Sequence, residues 1–250
     1  MKVKAIIFDF GFTLFYFQNA TLEKYLDCFE KGLQKAVNLL KELNIIESEI
    51  KGEQFSKIFK KKRQYYFKLS FKTKQEYKSS FLFAESLKEI NKLEYVDNKI
   101  LQKLADLYHS CELEEWVPYK TTEATLEKLK NEKQINLAVL SNHPHHSIIV
   151  ELLKKYDFLK FFDAVVTSAE VGKRKPAREI FEYTLQKINL LDDKESCLMC
   201  GDEYGDIIGG YKAGLKIILC ERNVKFPFEK EIDLPNLKKI KNISELLEMI

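Results

Sequence analysis

The feature that most constrains the fold of this chain is an alternation of short apolar runs with helix-length amphipathic segments from residue 118 onward. The runs "INLAVLSN", "DAVVTSAE", "CLMCGD" and "KIILCE" have the length of buried strands, and the segments between them repeat apolar residues with helical spacing. Strands that alternate with helices of this length form a parallel sheet with right-handed crossovers. The opening run "VKAIIF" needs the same sheet, so the sequence predicts an α/β fold.

The chain between the first strand and the others is predicted to be helical throughout. The stretch "TLEKYLDCFEKGLQKAVNLLKEL" places apolar residues three and four positions apart. Further helices are predicted over residues 54–69, 74–90 and 97–109. Because residues 21–115 also lack proline, we predict an all-helical cap domain of residues 17–116. The core domain, with a doubly wound parallel sheet, would comprise residues 1–16 and 117–250.

The charge and hydropathy of the chain argue against two classes of partner. Its 250 residues include 41 basic and 38 acidic side chains, a net charge of +3, so charge alone does not indicate a nucleic-acid partner. No run approaches the roughly 18 apolar residues of a membrane helix, and the N-terminus enters the first strand without a signal-peptide pattern. We therefore expect a cytoplasmic protein without a membrane partner, either a monomer or a homodimer.

The five cysteines are odd in number and scattered along the chain, which favours unpaired thiols in a reducing compartment over a disulfide scaffold. Cys197 and Cys200 form a C-x-x-C pair, but no second cysteine pair or spaced histidine pair completes a zinc site. We expect both side chains to pack in the core.

Polar residues follow the predicted strands where each strand ends. They are Asp9, Ser141 with Asn142, Asp202 after Gly201, and Lys175 in the loop after a further short strand. Taken singly, each has an ordinary structural role, since an aspartate can cap a helix and a lysine is usually solvated. The carboxyl ends of parallel strands meet at one edge of a sheet, where ligands bind. Their occurrence together therefore favours a functional site.

Four segments carry a resemblance to a known family. "FDFGFTL", "VLSN", "VGKRKPAREIF" and "CGDEYGD" resemble, in order and spacing, the four motifs of the haloacid dehalogenase-like hydrolases. The resemblance covers the whole chain and implies a Rossmann-like core with a helical cap inserted after the first motif.

The residue types at the strand ends suit phosphoryl transfer. A carboxylate such as Asp9 can attack phosphorus as a nucleophile and form an aspartyl-phosphate that water hydrolyses. Hard oxygen ligands suit Mg²⁺, and the expected ligands are Asp9, the carbonyl of Gly11, Asp202 and Asp206. The residues expected to contact or neutralise the phosphoryl group are Lys175, Ser141, Asn142 and Thr13. Phe12, in the loop after Asp9, looks exposed.

Gly11 departs from the pattern that the resemblance implies. The phosphatases of this superfamily usually have a second aspartate two residues after the nucleophile, as the general acid and base. A glycine cannot transfer a proton, and general acid–base catalysis contributes about 10²–10⁴-fold. The sequence therefore predicts a slow enzyme, a substrate with a good leaving group, or a replacement acid.

A candidate replacement lies in the loop "SNHPHH", which holds three of the four histidines of the chain. An imidazole, His143 above all, could transfer a proton near neutral pH. The alternative is that these histidines begin a helix and are exposed and inert.

Three functions remain open on the sequence. The first is a Mg²⁺-dependent phosphatase for a small phosphorylated metabolite, which the retention of both Asp202 and Asp206 favours. The second is a 2-haloacid dehalogenase, which also lacks the second aspartate and needs no metal. The third is a non-enzymatic relative with the cap as an interaction surface. In either enzyme we expect the cap to open and close about hinges after Thr13 and before Pro118.

Overall fold

The core of the protein is a six-stranded, wholly parallel sheet. A computed structural model describes residues 3–222, 224, 226 and 230–250. The strands, in chain order, are β1 (Ala5–Phe8), β4 (Asn136–Ser141), β5 (Ala164–Thr167), β6 (Cys197–Gly201), β7 (Lys216–Cys220) and β8 (Lys239–Ile240). Their spatial order is β5-β4-β1-β6-β7-β8, so β1 is central and its two neighbours come from later in the chain.

Helices cover both faces of this sheet. They are α6 (Thr122–Glu127, extended by a π-helical turn over Lys128–Glu132), α7 (His146–Lys155), α8 (Ser168–Val171), α9 (Arg178–Lys187), α10 (Tyr204–Ala213) and α11 (Leu246–Met249). Alternate residues of β1 point to opposite faces. Ile6 and Phe8 belong to a core cluster with α6 and α7, whereas Ala5 and Ile7 belong to one with α9. The doubly wound α/β core predicted from the sequence is confirmed.

The insertion between β1 and β4 is helical, with its own hydrophobic core. Its helices are α1 (Leu22–Glu42), α2 (Glu49–Thr73), α3 (Ser79–Glu89), α4 (Asn98–His109) and α5 (Glu112–Glu115). The side chains of Thr21, Ser48 and Asp97 each accept a hydrogen bond from the backbone of the first turn, which fixes where α1, α2 and α4 begin. Buried aromatic and leucine side chains of α1 to α4 form one cluster, separate from those of the sheet.

A short antiparallel ribbon carries the chain out of the core and back. Strand β2 (Phe15–Phe17) pairs with β3 (Trp116–Pro118), so the insertion begins and ends side by side. The sequence did not predict these three-residue strands. The predicted domain boundaries after residues 16 and 116 both fall within this ribbon and stay predictions.

Among the helices of the described residues, none combines the length and the apolar character that a membrane span requires.

Two expectations from the sequence are wrong. Phe12 is buried, with 8% of its surface exposed, because the rings of Trp116 and Phe226 pack edge-on against it. Cys28 and Cys111 form a disulfide, with Cα atoms 5.5 Å apart, because α1 packs beside α4 and the chain that follows it.

The expectation that Cys197 and Cys200 pack in the core is confirmed. Cys197 and Cys200 are unpaired and buried in β6, on opposite faces of the sheet.

Candidate active site

The strand ends meet at one edge of the sheet, as predicted. Asp9 directly follows β1, Ser141 is the last residue of β4, and Asp202 directly follows β6. Lys175 comes from the loop between α8 and α9. All four side chains are buried, which is unusual for charged residues unless they are paired.

Lys175 is the central cation of the site. Its Nζ lies 2.5 Å from Asp9 Oδ1 and 2.5 Å from Asp206 Oδ1, and it donates to the carbonyl of Leu140 at 2.8 Å. Burial alone would lower the pKa of Lys175, but the charges of Asp206 and Asp9 outweigh it and raise that pKa. Lys175 is therefore held as a cation.

Asn142 holds the backbone of Lys175 in place. Its Oδ1 accepts from the Lys175 N–H at 2.8 Å, and its Nδ2 donates to the Lys175 carbonyl at 3.1 Å. The amide of Asn142 thus positions the lysine, and a direct contact with phosphate stays a prediction.

Three carboxylates form an acidic cluster, defined here as Asp9, Asp202 and Asp206. One oxygen of each lies within 4.8 Å of the others. Burial raises the pKa of Asp9 to about 7 against the opposing effect of Lys175, and burial together with the charge of Asp9 raises the pKa of Asp202. Ionised carboxylates this close and this buried need positive charge beside them.

The two oxygens of Asp206 have different partners. Its Oδ2 accepts from the N–H of Glu203 at 3.0 Å, which caps the start of α10. Its Oδ1 is buried and makes no aligned hydrogen bond, although Lys175 Nζ is near. Gly201 makes this arrangement possible, since a Cβ there would lie 2.4 Å from Asp206 Cγ. A cluster of three buried carboxylates that offers only oxygen ligands fits a hard divalent cation.

Asp202 has a partner that the sequence analysis missed. Arg222 forms a buried ion pair with it, and the guanidinium lies over the rings of Phe12 and Phe226. Thr13 Oγ1 lies 3.5 Å from the other Asp202 oxygen. Arg222 is the second residue after β7, so the rule that identified Asp9 and Asp202 at strand ends could also have identified it.

Trp116 occupies the space beside Gly11. A Cβ on Gly11 would lie 2.9 Å from Trp116 Cη2, closer than real Cβ contacts allow. The indole is held by edge-on contacts with Phe10, Phe12 and Phe17 and donates its Nε1–H to Glu112 Oε2 at 3.2 Å. The volume that a second aspartate would need is therefore filled by this ring.

Two histidines of the loop are largely shielded from solvent, with 12% of the His143 side chain and 5% of His145 exposed, so the expectation that the loop is exposed is wrong for these two. His143 Nε2 lies 3.2 Å from Glu112 Oε2, and its Nδ1 lies 2.8 Å from the carbonyl oxygen of His145. These contacts join the loop to α5, because Glu112 lies at the start of that helix. Among the described residues, no hydrogen bond links His143 to Asp9 or Lys175.

The helical insertion is closed onto the loop that carries Lys175. Glu76 forms a buried ion pair with Arg174 and accepts from the hydroxyl of Ser168. Gln75 and Lys173 form an isolated antiparallel bridge. The segment between α2 and α3 therefore contacts the active-site loop directly.

Sequence and structure comparisons agree on one family. A sequence model of the haloacid dehalogenase-like hydrolases matches residues 3–214. The chain is 32% identical over 149 residues to a glyceraldehyde 3-phosphate phosphatase from Methanothermobacter thermautotrophicus, which covers 57% of this chain and 63% of that protein. It is 34% identical over 109 residues to the pyrophosphatase PpaX from Bacillus mycoides, or 43% and 48% of the two chains. The matched regions thus span about half to just under two thirds of these relatives.

Solved structures share the fold over almost the full length of the chain. A 2-haloacid dehalogenase from Pseudomonas syringae pv. Tomato DC3000 superposes with a TM-score of 0.63 at 20% identity, covering 98% of this chain and 97% of that one. A HAD phosphatase from Thermococcus onnurineus gives 0.57 at 22% identity, covering 100% and 97%. These identities carry the fold alone. The family match over residues 3–214 shows that the chain belongs to the haloacid dehalogenase-like hydrolases.

Proposed function

We propose that this hydrolase is a Mg²⁺-dependent phosphatase that cleaves a small phosphorylated metabolite through an aspartyl-phosphate on Asp9. The observation that carries the proposal is the buried acidic cluster beside Lys175, in which one oxygen of each of three carboxylates lies within 4.8 Å of the others. The two phosphatase relatives support the same chemistry for the part of the chain that they match.

In this mechanism an oxygen of Asp9 attacks phosphorus while the bond from phosphorus to the leaving oxygen breaks, and the leaving oxygen takes the electron pair. Water then attacks the same phosphorus and breaks its bond to Asp9, which releases inorganic phosphate and restores the carboxylate. Lys175, 2.5 Å from Asp9, would offset the charge of the nucleophile and of the phosphoryl oxygens. The Ser141 hydroxyl would donate to a phosphoryl oxygen, and Thr13 would orient Asp202.

The residues that would hold the cation are the three carboxylates of the acidic cluster and the carbonyl of Gly11. When all three carboxylates are ionised, Lys175 and Arg222 supply two positive charges against three negative ones, so the cluster then carries a net negative charge before any phosphate arrives. Bound Mg²⁺ would supply the remaining positive charge that brings carboxylate and phosphate together. Residues 17–116 would form the cap that excludes water, moving about the ribbon of β2 and β3.

The second candidate is a 2-haloacid dehalogenase, in which Asp9 would displace halide from carbon. It is favoured by the ion pairs of Arg222 and Lys175, because these give every carboxylate of the cluster a cation from the chain itself. Gly11 also leaves no acid, which halide does not need. The two candidates differ in their need for a metal.

Hydrolysis of an aryl phosphate tests the proposal, because an aryl leaving group needs little protonation. We expect turnover with Mg²⁺ that EDTA abolishes and that Asp9→Asn lacks. Asp157→Asn, a change at an exposed aspartate that pairs with Lys160, serves as the matched control and should keep full activity. Turnover that persists in Asp9→Asn would contradict the proposed nucleophile. Halide release from 2-haloacids in EDTA, with no phosphate release, would establish the second candidate.

A further inference from the structure

A second buried cluster of ligating side chains lies outside the acidic cluster, and we call its members His109, Glu112 and His143 the His–Glu cluster. The ligating atoms of these three residues all lie within 4.8 Å of one another. His109 and Glu112 each expose 1% of their surface. His109 ends α4 and Glu112 begins α5 in the helical insertion, whereas His143 lies in the core loop after β4. The cluster therefore joins the insertion to the core.

Both imidazoles direct a nitrogen at the same carboxylate. His109 Nδ1 lies 2.5 Å from Glu112 Oε1, and His143 Nε2 lies 3.2 Å from Glu112 Oε2. His143 Nδ1 lies 2.8 Å from the carbonyl oxygen of His145, and the His145 N–H donates a hydrogen bond to the same nitrogen at 3.1 Å. When Nδ1–H donates to that oxygen, a neutral His143 turns the lone pair of Nε2 toward Glu112. Either a second proton on His143 or a bound cation must then lie between the two groups.

The side chains of the His–Glu cluster also have hydrogen-bond and stacking partners outside the cluster, an arrangement that orients metal ligands. His109 Nε2 lies 2.7 Å from the Ser79 hydroxyl, which leaves Nδ1 to face the cluster. Glu112 Oε2 also accepts from the indole of Trp116. The ring of His145 stacks on that of His109 with 5.0 Å between centroids and 9° between planes. Hydrogen bonds to the far nitrogen of an imidazole and to a ligating carboxylate fix tautomer and orientation in metal sites.

The donor set distinguishes this cluster from the acidic one. Two imidazole nitrogens and a carboxylate oxygen suit Zn²⁺ and similar transition-metal ions, whereas the all-oxygen set of Asp9, Asp202 and Asp206 suits Mg²⁺. We propose that His109, Glu112 and His143 bind one divalent transition-metal ion of the Zn²⁺ class, which ties the helical insertion to the core. This site is separate from the phosphatase proposal and does not depend on it.

The test uses the full-length protein after chelator treatment, titrated with Co²⁺ as a coloured substitute for Zn²⁺. We expect visible d–d absorption that saturates at one equivalent, that Zn²⁺ abolishes by displacement, and that Mg²⁺ leaves unchanged. His143→Gln should weaken Co²⁺ binding by about 100-fold or more, given that even outer-shell changes cost 10–100-fold. His109→Gln should do the same.

His146→Gln is the matched control. His146 belongs to the same loop, but its Nδ1 lies 3.0 Å from the Thr167 hydroxyl and it is not part of the cluster. It should bind Co²⁺ as the wild type does, and so should Asp202→Asn, which alters only the acidic cluster. Far-UV circular dichroism checks that each variant is folded, and His143→Gln decides the matter if His109→Gln does not fold.

Three outcomes would overturn the proposal. In the first, the wild type gives no d–d absorption and no thermal stabilisation with excess Zn²⁺, so that the cluster is an ion pair only. In the second, His146→Gln loses binding as much as His143→Gln does. In the third, Asp202→Asn abolishes the absorption, which would place the metal in the acidic cluster instead.

Discussion

Replacing Gly11 with aspartate should not by itself return the missing acid, because Trp116 occupies the space. The backbone of Gly11 lies outside the left-handed region, so the obstacle is the contact alone. A Cβ would lie 2.9, 3.5 and 3.7 Å from three atoms of the indole, and the ring is held by four aromatic neighbours and a hydrogen bond to Glu112. Overpacking of this kind costs about 1–3 kcal/mol, so Gly11→Asp should lower the free energy of unfolding by that amount.

Trp116→Phe removes the atoms that meet the new side chain, so the two substitutions should be coupled. We expect Gly11→Asp to cost less in the Trp116→Phe background, by about 1–2 kcal/mol, within the range for residues in contact. The double variant should also raise kcat for an alkyl phosphate by about 10², the lower end of what general acid–base catalysis contributes. The rate for an aryl phosphate should change little, since its leaving group needs no proton.

Urea unfolding of the wild type, both single variants and the double variant gives the coupling energy, and kcat on the two substrates gives the catalytic effect. Trp116→Phe alone controls for the loss of its hydrogen bond to Glu112. The reasoning is refuted if Gly11→Asp alone is as stable as the wild type and gains as much activity on the alkyl phosphate as the double variant. Additive stability changes would likewise show that the indole does not limit position 11.

Two further predictions concern the charges of the acidic cluster. Because burial raises the folded pKa of Asp9 to about 7 from 3.8, its ionisation opposes folding. The unfolding free energy of the wild type, relative to that of Asp9→Asn, should therefore fall by at most about 4 kcal/mol as pH rises from 4 to 7, and then level off. Urea titrations across this pH range measure the difference. A difference that does not change with pH would contradict the raised pKa of Asp9. Lys175→Met leaves Asp9 and Asp206 without their shared cation and should cost about 3–5 kcal/mol of unfolding free energy at pH 8, and less at pH 5. The half-exposed neighbour substitution Lys173→Met should cost little, and equal costs for the two lysines would show that burial of the pair is not the cause.

The sheet and its functional edge could be predicted because both follow from local patterns. Buried parallel strands are continuous apolar runs, and the polar residues that end them meet at one edge whatever the loops between them do. Asp9, Asp202 and Lys175 are brought together for this reason. Asp206 was found through its spacing from Asp202, and the structure adds that one of its oxygens caps α10.

Arg222 apart, the features that the sequence analysis missed depend on contacts between distant segments. The strands β2 and β3 have three residues each, too few to show the alternation of apolar and polar residues that marks a strand. They are defined by their pairing with each other. The disulfide joins residues 83 positions apart, which no spacing rule connects. Phe12 is flanked by loop residues and looks exposed until the ring of Trp116, from the far end of the insertion, covers it.

The same tryptophan relates the missing acid to the helical insertion. Trp116 begins β3, the strand by which the insertion returns to the core, and its ring reaches the loop after Asp9. Its hydrogen bond to Glu112 connects it to His109 and His143. Any movement of the insertion that shifts β3 must therefore also shift the ring that fills the space beside Gly11. A chain that regained an aspartate at position 11 would have to rebuild this contact. The packing of the insertion against the core therefore favours glycine at this position, whatever the chemistry at Asp9 requires.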